Sequence, residues 1–142
     1  MNVRNFDVME LLTTEALEKL EELLAELREQ AREGVPIIVE GADDVDALRR
    51  LGIERCVRKV ANGNSLLDFI ESFSGGAKVV ILTDFDRAGE KLAKFFVRHA
   101  KQVGVQPITE FRDKLKSLVR KNVKDIEGLA KFVERQRAEA EG

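Results

Sequence analysis

The sequence predicts an α/β fold in which a parallel sheet is flanked by helices. Two runs of branched aliphatic residues, 35–39 and 79–82, are typical of strands that are buried on both faces, as in parallel sheets. Segments with helical periodicity alternate with these runs, which favours parallel strands joined by right-handed helical crossovers. Acidic residues follow each run: Glu40 after the first, and Asp84 and Asp86 after the second.

The order of elements follows from hydrophobic periodicity and from turn residues. A leucine-rich amphipathic helix at 14–33 ends at Gly34, where a glycine cap is expected. The remaining segments predict, in order, a strand at 36–40, a helix from Asp43 to Leu51, an edge strand at 55–60, a turn at Asn62–Gly63, a helix from Ser65 to Phe73, a strand at 78–83, a helix from Arg87 to Lys101, a short strand near 103–108, and helices at 109–121 and 124–138.

Length and composition favour one domain. A chain of 142 residues can bury a core of its own. We expect residues 1–142 to form a single domain with an N-terminal helix at 14–34, an α/β core at 35–107 and a C-terminal helical extension at 108–142. The leucine stripe of the N-terminal helix is expected to serve packing or a homodimer contact, and an additional protein subunit at the functional site also stays open.

Several classes of protein are excluded by composition. The single cysteine, Cys56, excludes an intramolecular disulfide and a multi-cysteine zinc site, and we expect it to be a buried small hydrophobe. No apolar run approaches the roughly 20 residues of a membrane span, and no signal-peptide pattern opens the chain. We therefore expect a cytoplasmic protein with no membrane partner.

The acids that follow the two strands are predicted to meet at one edge of the sheet. Ligands bind beyond the carboxyl ends of strands in open α/β sheets, and neighbouring strands lie about 4.8 Å apart. If the first and third strands are neighbours, Glu40 and Asp84 come within reach of one hydrated ion, near Asp86 and with Asp44 as a supporting acid. Oxygen donors select a hard ion, so we expect Mg²⁺, with Mn²⁺ as the alternative. The simpler interpretation is that these acids only cap helices or occupy loops and bind no ion.

A stripe of basic residues follows the second acidic motif. The spacings of 4, 3, 4 and 3 place these residues within an arc of about 80° on one helix, which begins where the helix dipole favours an anion. Phosphates of a nucleic acid could bind along this stripe, although a solvated helix face has the same pattern. The stripe consists of Arg87, Lys91, Lys94, Arg98 and Lys101.

The two acidic motifs, taken together, resemble the Toprim domain. The first is Glu40-Gly41-Ala42-Asp43-Asp44, and the second is Thr83-Asp84-Phe85-Asp86-Arg87-Ala88-Gly89-Glu90. The resemblance covers about residues 35–107. Topoisomerases, bacterial-type primases and several nucleases, including one that matures 5S ribosomal RNA, share this domain. Two positions depart from the common pattern, since Ala42 replaces a frequent Lys and Phe85 a frequent Pro.

The resemblance implies a fold, a metal site and a class of reaction. The fold is a Rossmann-like sheet of four parallel strands between helices. The site implied is Mg²⁺ held by Glu40, Asp84 and Asp86, with Glu40 also acting as general acid or base and Glu90 as a further acidic ligand. Because the first motif is similar to that of the maturation nuclease, the resemblance favours phosphodiester cleavage in RNA over DNA. A non-catalytic Toprim module that binds nucleic acid or protein is the alternative.

Other assignments fit the residues less well. The chain has no tyrosine, so it cannot form the phosphotyrosyl intermediate of a topoisomerase, and its single His and single Cys cannot supply a primase zinc module. A response-regulator receiver requires a fifth strand that ends in Lys, and no convincing fifth strand appears. A phosphatase of the haloacid dehalogenase type requires its D-x-D motif after the first strand.

Overall fold

The computed structural model describes residues 11–55, 57–60, 66–73, 75–119, 121 and 123–141. Within these residues the elements follow the order that the sequence predicts. The helices are α1 (Thr14–Arg32), α2 (Ala42–Arg50), α3 (Leu66–Glu71), α4 (Arg87–Gln102), α5 (Glu110–Val119) and α6 (Ile126–Glu141). The strands are β1 (Ile37–Val39), β2 (Val57–Lys59), β3 (Lys78–Ile81) and β4 (Gln106–Ile108).

The described strands form one parallel sheet in the order β2-β1-β3-β4. Ile38 of β1 is in register with Arg58 of β2 on one side and with Ile81 of β3 on the other. The first and third strands are therefore neighbours, as the switch-point arrangement requires. The prediction that the polar second strand lies at an edge is also confirmed, and the α/β fold class with it.

Each face of the sheet carries its own hydrophobic core, because side chains alternate between the two faces of a strand. The larger core lies under α1, α2, α5 and α6, and the smaller one lies under α3 and α4. Ile37, Val39 and Val80 point into the larger core. Ile38 and Ile81 point into the smaller core. Burial on both faces explains why β1 reads as an uninterrupted apolar run.

Glycine ends the first two helices where the sequence predicted a stop. Gly34 has φ 93° after α1 and Gly52 has φ 87° after α2, a backbone conformation that side chains with a Cβ rarely adopt. Three sequence predictions concern residues outside the described ones: the burial of Cys56, the turn at Asn62–Gly63, and the start of a helix at Ser65.

The C-terminal helix packs across the rest of the larger layer. Arg137 of α6 makes a bidentate ion pair with Glu21 of α1, at 2.8 and 2.9 Å, and Arg50 of α2 pairs with Glu134. Phe132 and Val133 of the same helix are fully buried. The extension is thus part of the core. In the described part of the chain, none of the helices has the length and apolarity that crossing a bilayer demands.

Candidate active site

Glu40 and Asp84 lie side by side at the carboxyl edge of the sheet. Glu40 follows β1 directly, and Asp84 comes shortly after β3. The backbone N–H of Asp84 donates a hydrogen bond to Oε2 of Glu40 at 2.8 Å. Two acids 44 positions apart in the chain are joined because their strands are adjacent and parallel. This contact holds the side chain of Glu40 against the second acidic motif.

The C-terminal extension makes hydrogen bonds to the loop that connects β3 to α4. Oδ1 of Asp84 accepts a hydrogen bond from the backbone N–H of Ile126, in the first turn of α6, at 3.1 Å. One residue further on, the N–H of Phe85 donates to the carbonyl of Lys124 at 2.7 Å. Asp125, between these two partners, caps α6 by accepting the N–H of Gly128 at 2.7 Å. The start of α6 is therefore hydrogen-bonded to residues 82–86, the D-x-D loop, which contains Asp84 and Asp86 between β3 and α4.

Burial, with a smaller contribution from neighbouring carboxylates, raises the pKa of two acids at this edge. Burial raises the pKa of Asp84 to about 7, and the negative charges of Asp44, Glu40 and Asp125 add to the effect. Burial likewise raises the pKa of Asp44, which is only 7% exposed and accepts the N–H of Gly41 at 3.1 Å. Four acids from three segments of the chain thus share one electrostatic environment.

Asp84→Asn is expected to stabilise the protein in metal-free buffer at pH 8 by about 1 kcal/mol. A pKa shift of this size corresponds to roughly 4 kcal/mol, and solvent around the half-buried carboxyl reduces that figure. Because the folded state keeps a proton that the unfolded chain loses near pH 4, wild-type stability falls as pH rises from about 4 to about 7. Asparagine removes that fall and can still accept the N–H of Ile126.

The two stabilities are measured by urea unfolding in EDTA, followed by far-UV circular dichroism. Their difference should grow between pH 4 and pH 7 and be constant above pH 7. A difference that stays the same at every pH, or that favours the wild type at pH 8, would contradict the raised pKa of Asp84.

Asp86 and Gly89 bring the start of α4 onto the same loop. Asp86 is the N-cap of α4, and its Oδ1 accepts the N–H of Gly89 at 2.8 Å. A Cβ on Gly89 would lie 1.9 Å from the carbonyl oxygen of Asp84, so only glycine allows the helix to approach this closely. The hydroxyl of Thr83 donates to the carbonyl of Gly89 at 2.7 Å, which closes the turn. The side chain of Asp86 is thereby held at the start of α4, two positions after Asp84 in the chain.

A buried arginine holds this loop from beneath. Arg112 of α5 is 1% exposed and donates to the carbonyls of Thr83 and Asp84 at 3.0 and 2.6 Å. Its third bond goes to Oε1 of Glu90 at 2.8 Å, and Nζ of Lys116 lies 3.7 Å from the same oxygen. The hydrogen bond from Arg112 holds the pKa of Glu90 below its usual range. Glu90 therefore faces two cations, and its carboxylate is engaged on the α5 side of α4.

Sequence reasoning missed Arg112 and Asp125. Arg112 belongs to a second basic segment, which the sequence predicts either to clamp a nucleic acid or to balance the acidic first helix; the segment contains Arg112, Lys114, Lys116, Arg120, Lys121 and Lys124. Arg112 nevertheless shares a helix face with the buried Leu115 and Val119, at spacings of three and seven. That spacing is the signal that could have identified it. Asp125 stands immediately before an apolar helix, where it reads as an ordinary cap. Its approach to Asp84 depends on tertiary packing that one sequence does not reveal. Arg120, from the same basic segment, lies outside the described residues.

The acids at this edge are better suited to a hard cation that keeps most of its waters than to one coordinated entirely by protein side chains. Glu40, Asp84 and Asp86 each use one carboxylate oxygen to accept a backbone N–H, which orients the group, and a carboxylate has a second oxygen that can bind a cation. Among the residues described, no three side chains of Asp, Glu, His or Cys come together closely enough to hold a metal ion as they stand. Mg²⁺ commonly keeps several waters and binds through one or two carboxylates, which suits this arrangement.

The predicted basic stripe lies on the solvent side of α4 and starts beside this edge. All five of its residues are exposed, and the first of them directly follows Asp86. Ala93, Phe96 and Ala100 occupy the opposite, buried face of the helix. The stripe therefore runs away from the acids along one accessible surface.

Comparisons with known proteins agree with this architecture. The chain is 39% identical over 123 residues to a UPF0292 protein of Methanosarcina acetivorans, covering 86% of this chain and 85% of that one. It is 43% identical over 122 residues to a UPF0292 protein of Methanosarcina barkeri, with 85% of each chain covered. A solved structure of a protein from Aquifex aeolicus superposes with a TM-score of 0.65 at 30% identity, over 76% of this chain and 95% of that chain.

The family itself is identified by the segment that carries both acidic motifs. The family model of the Toprim domain matches residues 35–118, which span the whole sheet and continue into α5. Both Glu40 and the D-x-D acids lie within the match, whereas Asp125 lies beyond it. These features indicate a metal-binding module related to nucleic acids, and the chain belongs to the Toprim domain family and, by its similarity to the archaeal relatives, to the UPF0292 proteins.

Proposed function

We propose that this protein hydrolyses phosphodiester bonds in nucleic acid, in RNA rather than DNA, with Mg²⁺ or Mn²⁺ as its cofactor. The observation that supports this most is the hydrogen bond between Glu40 and the backbone of Asp84, since it joins the two acidic motifs at one edge of the sheet. The exposed basic stripe begins at the same place, so a polyanion bound along α4 would reach the acids.

The acids of the site have two proposed roles, which are holding the ion and moving a proton. Asp84 and Asp86, with Glu40, would hold the divalent ion, and Asp44 would support the charge of the site. When bound, the ion supplies charge neutralisation at the phosphate and makes a water more acidic. Glu40 also accepts a proton from the attacking water as that water's oxygen bonds to phosphorus and the bond from phosphorus to the leaving oxygen breaks. The proton then passes to the leaving oxygen, so that atoms and charge balance.

The test is incubation of the wild type and Glu40→Gln with a structured RNA and a single-stranded DNA, with and without Mg²⁺. We expect the wild type to cut the RNA only with the metal, and the variant to leave both substrates intact. Equal cleavage by the two proteins would indicate a contaminating nuclease, and cleavage by neither would overturn the proposal. Preferential cutting of the DNA would overturn the assignment to RNA.

Glu90 is expected to contribute less to metal binding than the resemblance implies. It could join a metal only by leaving Arg112 and Lys116, which its carboxylate contacts in the structure. We therefore expect Glu90→Gln to change the affinity for Mn²⁺ less than about threefold, against tenfold or more for Asp84→Asn, as measured by titration calorimetry. An equal loss in the two variants would restore Glu90 to the ligand set.

A non-catalytic module is the second candidate. The absence of a ready cluster of three ligands, within the residues that the structure describes, is the observation in its favour. Such a protein would bind nucleic acid or a partner protein without any dependence on Glu40. Binding of RNA that is unchanged by metal, together with no cleavage, would support it.

A further inference from the structure

A groove runs between α4 and α5 beside the candidate site. Three adjoining hollows of about 480, 280 and 430 Å³ form it, and Glu90 lines all three. The first begins at Phe85 and Asp86, next to the acids. The second extends along α4 as far as Lys101, and the third extends along α5 toward Lys121. The groove therefore leads away from the D-x-D loop.

The two walls of this groove are both basic. The α4 wall is the predicted stripe, and every one of its five residues lines a hollow. The α5 wall contributes Lys116, which lines two of the hollows, and Lys121 lines one. Basic side chains on the groove outnumber the acidic ones, which are Asp86, Glu90 and Asp113. Glu90 is itself paired with Arg112, so much of its charge is compensated.

Neighbouring lysines on α5 point to different surfaces. Lys114 lines a hollow on the other side of the helix, together with Lys19, Glu22 and Glu26 of α1. Lys116, two residues later, faces Glu90 and α4 with 44% of its side chain exposed. Two lysines of the second basic segment therefore lie on opposite sides of α5: Lys114 faces α1, and Lys116 faces the groove.

We propose that this groove binds a single strand of nucleic acid, with its sugar-phosphate backbone held between α4 and Lys116 of α5. Cations on both walls of one groove favour a single strand, since its backbone can lie between them and contact both. Among the described residues that line the groove, Phe85 is the one aromatic side chain. Phosphate contacts therefore dominate, and binding is insensitive to sequence. This inference deepens the proposed function and rests on it for the identity of the ligand.

The test compares Lys116→Glu with Lys114→Glu, which change the net charge equally on the same helix. Binding of a fluorescein-labelled 20-nucleotide oligouridylate is followed by anisotropy in EDTA, so that no cleavage occurs. We expect Lys116→Glu to weaken binding by tenfold or more and Lys114→Glu by less than threefold. The loss of one phosphate contact should also lower the slope of log affinity against log salt by about 0.7 for a single strand.

Folding and strand type are controlled separately. The contact of Lys116 with Glu90 is long and exposed, so its loss should leave the thermal midpoint unchanged, and Lys116→Gln replaces the charge reversal if it does not. Equal weakening by the two lysine variants would contradict the proposed contact between Lys116 of α5 and the bound strand. Tighter binding of a blunt duplex than of the single strand would overturn the single-strand assignment.

Failure of the groove can be distinguished from failure of the proposed function. If Lys116→Glu alone loses binding while the wild type cleaves nothing with Mg²⁺, strand binding in the groove is supported and the nuclease assignment is contradicted. If the wild type cleaves RNA and the two lysine variants bind and cleave it equally well, the nuclease assignment is supported and strand binding in the groove is contradicted.

Discussion

Glu40→Gln should lower the rate of RNA cleavage by about 10²- to 10⁴-fold, the contribution that a positioned acid or base commonly makes. Glutamine has nearly the shape of glutamate, and its carbonyl oxygen can accept the N–H of Asp84 that Oε2 of Glu40 accepts now. The fold should therefore persist while the proton acceptor and the negative charge are lost. Single-turnover cleavage of the structured RNA in Mg²⁺ measures the effect.

A matched control, Glu139→Gln, distinguishes an effect of Glu40 itself from the effect of losing any one negative charge. Glu139, exposed in the last turns of α6, gives the same chemical change far from the sheet edge when replaced by glutamine. We expect its rate to equal that of the wild type. A Glu40→Gln rate within threefold of this control would show that Glu40 neither moves a proton nor holds a metal.

Arg112→Met should lower the free energy of unfolding by about 2–4 kcal/mol. Methionine fills part of the buried space but leaves the carbonyls of Thr83 and Asp84 without their donor, at about 1–3 kcal/mol for each buried polar group that loses its partner. Urea unfolding followed by far-UV circular dichroism is suitable, since the chain has neither Trp nor Tyr.

Two further variants test whether the hydrogen bonds of Arg112 are responsible. Lys114→Met, on the exposed side of the same helix, should change stability by no more than about 0.5 kcal/mol. Arg112→Lys keeps the charge but lacks the planar fork that reaches three acceptors, so it should fall between the wild type and Arg112→Met. If Arg112→Met were as stable as the Lys114 control, the role of this network in holding the D-x-D loop would be disproved.

The fold was predictable because local and long-range signals agree. Branched apolar runs marked β1 and β3, and glycines at 34 and 52 marked the ends of the first two helices. Parallel order then followed from the alternation of strands with helices, and it placed Glu40 beside Asp84. The short β4 was harder to predict, because Gly104 and Pro107 interrupt its pattern and an edge strand buries less apolar surface.

The site was less predictable wherever its contacts come from the C-terminal extension. An arginine in a basic segment reads as a surface residue unless its spacing from Leu115 and Val119 is noticed, and its three acceptors lie 22 to 29 positions away. The hydrogen bond from the N–H of Ile126 to Asp84 spans 42 positions. Such contacts depend on how helices pack on the sheet, which neither residue spacing nor composition determines.

The central claim is that acids from the ends of β1 and β3 bind one divalent cation together. Calorimetric titration of Mn²⁺ into the wild type, Glu40→Gln and Asp84→Asn at pH 8 tests it most directly. We expect saturable binding to the wild type and a tenfold or greater loss of affinity in each variant. Equal Mn²⁺ uptake by all three proteins, or no uptake by the wild type, would contradict it.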